Sequence, residues 1–229
     1  MKKSYIIILL VLFDIISFSQ ENKFENEHYI GIQISANISS LFLIYETDGV
    51  YYPPNPYFKT ISGGISYKNF SERYVGLSID LNYIPKKGNL VFNINTDGTE
   101  TLPVVFTYTA DYIEFTPLMN IRMGKKRTRV NLYAGFHTAH SINNTLKPIT
   151  ETYGQVFKTT IDNKFEFGLN AGTGYSFNFK TSTVEIRLMY AQGLTNVFDP
   201  ETSTKYLWFN QNQVFSASIL YYFKLLQKN

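Results

Sequence analysis

An all-β chain, folded as an eight-stranded antiparallel transmembrane barrel with short periplasmic turns and long extracellular loops, is what this sequence predicts. Three observations predict it. Eight stretches alternate apolar and polar residues, most plainly Tyr74-Val75-Gly76-Leu77-Ser78-Ile79-Asp80-Leu81-Asn82-Tyr83 and Val184-Glu185-Ile186-Arg187-Leu188-Met189-Tyr190, and period two gives a strand one oily and one polar face. The connections run long, short and long again, as in outer-membrane barrels. Aromatic residues make up 17% of the chain and charged residues 17%, the latter against roughly 25% in soluble domains. A wall in lipid has no use for charge, and its rims favour aromatic rings.

The N-terminus supplies a route to a membrane. Lys2 and Lys3 precede the apolar run Tyr5 to Phe13, and Ser17-Phe18-Ser19 gives a small-x-small pattern before Gln20, so residues 1–19 read as a secretory signal peptide. Asp14 interrupts the run, which falls short of the roughly 20 apolar residues that a spanning helix needs. Residues 20–27 then form a periplasmic N-terminal segment, 28–224 the barrel and 225–229 a C-terminal tail. The chain has no cysteine, which excludes disulfides, thiolate metal sites and cysteine nucleophiles. A formal charge of +3 with no prominent basic cluster gives nucleic-acid binding no support.

The strands follow in order. The first, His28 to Asn37, sets Ile30, Ile32, Ile34 and Ala36 against Gly31, Gln33, Ser35 and Asn37. The second is Lys59 to Lys68 and the third Arg73 to Pro85. The fourth, Ala110 to Met123, contains Pro117, which removes a ladder donor and marks a bulge or a break there. The fifth is Thr128 to Ala139, the sixth Lys164 to Asn178, the seventh Thr183 to Gly193 and the eighth Gln213 to Lys224. Each exceeds the roughly 9–11 residues needed to cross a bilayer at a tilt. The turns at 69–72, 124–127 and 179–182 are short, whereas the connections at 38–58, 86–109, 140–163 and 194–212 are near twenty residues each. Three short turns and four long loops place both termini in the periplasm.

A soluble eight-stranded barrel would alternate equally well, but with its oily face inward. Glycine decides between the two. Gly31, Gly64, Gly76, Gly135, Gly168, Gly172 and Gly174 all fall on the polar face, where a solvated surface gains nothing from them and a narrow lumen needs small neighbours for its large side chains. Aromatics collect at strand ends. Tyr29, Tyr67, Phe70, Tyr74, Tyr175, Phe177 and Phe223 are assigned to a periplasmic girdle, and Tyr57, Phe58, Tyr83, Phe115, Phe165 and Tyr190 to an outer one. The lumen then receives Lys68, Asp80, Glu114, Arg122, Glu166, Glu185 and Arg187. Buried charges must pair, so an Asp80–Arg122–Arg187 network is expected as internal bracing. With eight strands the interior is filled by side chains, which leaves a narrow channel as the least favoured role.

Catalytic chemistry is sparse. His137 and His140 lie at the outer end of the fifth strand beside Ser141, and a membrane-embedded lipid-modifying enzyme would use them. Three residues apart in a strand, however, the two imidazoles point to opposite faces, and neither acyltransferase spacing nor a third metal ligand is evident. Gly172-x-Gly174 sits inside a strand and is not a phosphate loop. No catalytic residue, metal or cofactor is expected. The expected partners are outer-membrane lipid and, through the long loops, secretion-system or surface partners.

Three segments carry a family resemblance: the signal ending Phe18-Ser19-Gln20, the central Tyr112-Ile113-Glu114-Phe115-Thr116-Pro117-Leu118 leading to Ile121-Arg122-Met123-Gly124, and the aromatic-ended Phe215 to Phe223. Over residues 20–224 the chain resembles the small porin-like outer-membrane barrels of Bacteroidetes, the family that includes the T component of the Por (type IX) secretion system. The resemblance implies a barrel, and for some members assistance to secretion or gliding. Lys224 to Asn229, following Phe223, departs from the terminal aromatic with which outer-membrane strands commonly finish.

Overall fold

The computed structural model describes residues 26–45, 57–96, 100–124, 127–148, 164–197 and 207–225. The signal-peptide assignment lies outside them, as does most of the C-terminal tail. Eight strands are present: β1 (Glu27–Tyr45), β2 (Phe58–Phe70), β3 (Val75–Thr96), β4 (Glu100–Gly124), β5 (Thr128–Pro148), β6 (Phe165–Asn178), β7 (Ser182–Gly193) and β8 (Leu207–Leu225). Each pairs antiparallel with its neighbours in sequence, and β1 pairs with β8 from His28↔Leu225 to Tyr45↔Leu207 to close the barrel. Closure leaves no sheet edge within the bilayer, the condition for strands to cross it.

The two faces are sorted as lipid demands. Ile32, Ile34 and Ile61 point outward and are 62%, 60% and 70% exposed, while Ser35, Ser66, Asp80, Asn120 and Glu185 are buried inside. A soluble barrel would reverse these positions. The chain is an eight-stranded outer-membrane-type barrel with an apolar exterior.

Several strands run further than their alternation alone suggested. Much of what the sequence assigned to loops at 38–58, 86–109, 140–163 and 194–212 is strand: β1 continues to Tyr45, β3 to Thr96 and β5 to Pro148, while β4 begins at Glu100 and β8 at Leu207. The alternation persists there with its polarity exchanged. In β4 the inward even positions change from Arg122, Asn120, Thr116 and Glu114 to Ala110, Tyr108 and Phe106. Above the membrane the exterior is water, so the apolar positions belong inside. Accordingly Leu41, Phe106, Tyr108 and Ala110 are buried, and the Tyr108 and Tyr112 hydroxyls meet at 2.7 Å.

At this upper level β1 and β3 come into direct contact. The β2–β3 ladder covers only Gly63–Asn69 against Leu77–Tyr83. Above it β1 leans across to β3: Ser39 Oγ accepts from the Lys87 N–H at 3.0 Å and donates to the Lys87 carbonyl at 3.2 Å. A Cβ on Gly88 would collide with the Leu41 side chain, so glycine permits that close approach. Pro117 lies inside β4 opposite Ile79. On the β5 side pairing lapses at Thr116 and Pro117 and resumes in the same register, while the register shift sits higher, between Asp111 and Tyr112. Proline is therefore accommodated by a short gap in one ladder, not by a bulge. Gly124 ends β4 at φ +121°, a left-handed conformation that favours glycine.

Inward glycines make room for the large lumen side chains. A Cβ on Gly31 would lie 2.6 Å from both the Tyr221 carbonyl oxygen and the Tyr222 ring, whereas one on outward Gly63 would meet only the Gln33 carbonyl, at 3.5 Å. Gly31→Val should therefore cost about 1–3 kcal/mol through overpacking, measured by urea unfolding in lipid vesicles. Gly63→Ala should leave the midpoint unchanged or slightly raised.

Candidate functional site

The lumen is crossed by two layers of paired charge. In the lower layer Arg187 binds Asp80 (Nη1–Oδ2 2.6 Å) and Glu185 (Nε–Oε1 2.8 Å), and Lys68 Nζ binds Glu185 Oε2 at 2.6 Å. Two cations thus face two carboxylates. Hydroxyls satisfy what remains: Tyr133 donates to Glu185 Oε1 at 2.5 Å, Ser176 donates to Glu185 Oε2 at 2.9 Å, and Ser66 donates to Asp80. Arg187 Nη2 donates to the Tyr222 hydroxyl at 2.7 Å, and the Lys68 ammonium sits 4.4 Å from the centre of the Tyr222 ring. Burying such charges is costly unless every one is paired and hydrogen-bonded, and here they are.

The upper layer is built around Lys86, whose ammonium donates to Glu166 Oε1 at 2.7 Å and Glu114 Oε2 at 3.1 Å. Asn212 donates to Glu166 Oε2 at 2.5 Å, and Thr116 to Glu114 Oε1 at 3.1 Å. His137 is fully buried; its Nε2 lies 2.9 Å from Glu166 Oε1 and its Nδ1 faces Asn170 Oδ1. His137 thus adds two further hydrogen-bonding contacts to this layer. Between the layers lies a cavity lined by Asp80, Asn82, Glu114, Asn170, Arg187 and small hydroxyl residues on one part and by Ile84, Leu118, Met189 and Val214 on another, with room for about three water molecules.

Glu114, His137 and Glu166 bring one ligand atom each to within 4.8 Å of one another, a grouping with the chemistry of a divalent-cation site. Lys86 Nζ contacts both carboxylates and supplies the positive charge a metal would bring.

Asp80, Arg187, Glu185, Glu114 and Glu166 all face the lumen, and Asp80 and Arg187 are paired. Arg122 stands apart from them. It caps the periplasmic end, where Nη1 binds Glu27 Oε2 at 2.5 Å, Nε donates to the Arg73 carbonyl at 2.8 Å and the guanidinium stacks over Phe70 at 3.8 Å. The expected three-residue network is thus a pair plus a separate rim contact, because Arg122 lies lower on β4 and Glu27 reaches it first. Arg129 and Lys224 also approach Glu27, at 3.5 and 3.7 Å.

Of the periplasmic girdle residues, Tyr74, Tyr175, Phe177 and Phe223 are exposed on the outer surface, and half-buried Tyr67 bonds His28 Nδ1 at 2.7 Å. Tyr29 and Phe70 correct the sequence assignment. Both point inward and are buried, packed with Leu220 and Tyr222 as a plug. Tyr29 is an odd-numbered β1 residue, on the same face as Gly31 and Gln33, and that parity was available in the sequence.

Sequence reasoning missed Lys86, which it left in a loop, and Glu27, which it left in the N-terminal segment. The continued alternation of β3 past Pro85 was the available signal for Lys86. Nothing in the sequence marks Glu27. His137 lies behind the barrel wall, out of reach of lipid. His140 is exposed on the outer face, and Ser141 is turned inward with its hydroxyl on the Asn143 carbonyl at 3.3 Å. Histidine and serine are therefore not brought together.

Residues 18–199 match the family described as outer membrane protein beta-barrel domain. No curated protein sequence matches the chain. Among solved structures, OprG of Pseudomonas aeruginosa is similar at TM-score 0.51 and 11% identity, over 88% of this chain and 97% of that one. Ail, the attachment invasion locus protein of Yersinia pestis, solved in complex with the heparin analogue sucrose octasulfate, gives 0.44 and 11%, over 88% and 100%. Neisserial surface protein A gives 0.41 and 10%, over 86% and 98%. At such identities the likeness to OprG concerns the fold alone.

Charge balance makes a double substitution milder than its parts. Arg187→Met should destabilise the barrel by about 3–5 kcal/mol by leaving Asp80 and part of Glu185 unpaired. Lys86→Met should behave similarly, but Lys86→Met with Glu166→Gln should cost less than the sum of the two singles. Urea unfolding in vesicles, read by tryptophan fluorescence and gel migration, checks both.

Proposed function

The chain belongs to the outer membrane protein beta-barrel domain family, and from that premise we propose that it is a closed, non-catalytic membrane anchor that holds an interaction surface outside the cell. The observation that carries this reading is the filled lumen. Two layers of paired charge and the buried Leu41, Phe106 and Tyr108 above them favour rigidity over passage. Strand continues to Tyr45, Thr96 and Pro148, well above the charge layers, which gives this end of the barrel a stiff support. Rigid presentation lowers the ordering cost of binding.

The partner is an extracellular or surface-associated protein or glycan contacted by the connections after β1, β3, β5 and β7. Assistance to a secretion system, implied by the resemblance to the type IX family, is the narrower form of the same role. A lipid-modifying enzyme would have to work from His140 alone, since His137 is sealed inside.

Replacing residues 47–56 and 150–163 with Gly-Ser linkers should leave heat-modifiable gel migration intact while abolishing surface adhesion or the secreted-protein profile that depends on this chain. Unchanged adhesion and secretion after deletion of the whole gene would defeat the reading. Planar-bilayer recordings should give no stable large conductance, and His137→Ala and His140→Ala should leave the outer-membrane lipid profile as it was.

A further inference from the structure

The periplasmic end carries cations in excess. Arg73, Arg127 and Lys180 are exposed, one in each short turn, while Arg122, Arg129 and Lys224 share the single carboxylate of Glu27 just inside the mouth. Among the described residues of this rim the only other acid is Glu72.

The turns bring part of this charge into one arc. Asn178 N–H donates to the Arg127 carbonyl at 2.7 Å, joining the β4–β5 turn to the start of the β6–β7 turn, and Lys224 N–H donates to the Thr181 carbonyl at 2.9 Å, joining that turn to the end of β8. Arg127, Lys180 and Lys224 therefore follow one another along the rim. Exposed aromatics lie on the outer wall of the same arc: Phe177, Phe179 at 63% exposure, and Phe223. Cations at headgroup level over rings at acyl-chain level repeat, in one place, the vertical order of a phospholipid.

We propose that this arc is a binding site for an anionic phospholipid of the periplasmic leaflet. Its phosphate is held by Arg127 and Lys180, with Lys224 behind them, and its chains lie against Phe177, Phe179 and Phe223. Two features favour lipid over an acidic protein. The arc is continuous with the lipid-facing wall, and the cations are paired with apolar surface that a protein in water would leave exposed. Arg73, stacked on exposed Tyr74 at 5.2 Å, repeats the pattern once more on the opposite side of the barrel. Basic residues near a membrane surface each strengthen binding of anionic lipid, by roughly fivefold, and the attraction weakens with salt.

The test is the relative association of spin-labelled phosphatidylglycerol and phosphatidylcholine with the refolded barrel in vesicles. The wild type should prefer phosphatidylglycerol by about threefold or more, less so in high salt. Arg127→Gln with Lys180→Gln should bring the ratio close to one, while Arg127→Lys with Lys180→Arg should retain it. Gel migration of boiled and unboiled samples establishes that each variant is folded. Equal association of the two lipids with the wild type, or an unchanged preference in the Gln variant, overturns the proposal. Salt-sensitive binding of polyglutamate to the wild type in place of any lipid preference would overturn it too, reassigning the rim to an acidic protein.

Discussion

Charge pairing inside a space without bulk water is the constraint on which this barrel rests. A closed eight-stranded wall leaves too little room for a hydrated channel, so any ionisable group placed inside must find its counter-charge among the other strands. Arg187 of β7 finds Asp80 of β3, Lys68 of β2 finds Glu185 of β7, and Lys86 of β3 finds Glu114 of β4 and Glu166 of β6. Apart from Lys86–Glu114, which joins adjacent strands, these pairs cross the lumen between strands that are not neighbours. They fix the cross-section as hydrogen-bond ladders, which run around the wall, cannot.

The same constraint explains the distribution of small residues. Gly31 lies beneath the Tyr222 ring and Gly172 beside Met189, while the Gly174 position approaches Glu185 and Tyr133. A wall lined by large side chains on every strand would not close at this diameter. Glycine weakens a strand taken alone, and here the loss is offset by the interior networks it admits.

Strand positions and the inward or outward sense of most residues were legible because period-two alternation is a local property. The glycine count on the polar face gave the correct orientation. Two things were hidden. Strand length was underestimated because the polarity of the faces exchanges above the bilayer, and a search for apolar residues on one constant face stops at Pro85. The partners within the lumen were hidden because pairing across a closed wall depends on height and on which strands lie opposite. Asp80 with Arg187 could be guessed from charge and level. Arg122 could not be separated from them without knowing that Glu27 sits at its own level, and Tyr29 was drawn to the girdle by residue type against the evidence of its parity.

The ladder between β1 and β8 has a consequence for biogenesis. β1, the first strand in chain order, has one of its two lateral neighbours in the last, Leu207–Leu225. Until that final segment arrives, the edge of β1 stays open, and Tyr222, which anchors Arg187, Ser66 and the ammonium of Lys68, is missing from the interior. Closing the wall and shielding the inner charges from water therefore depend on the same strand.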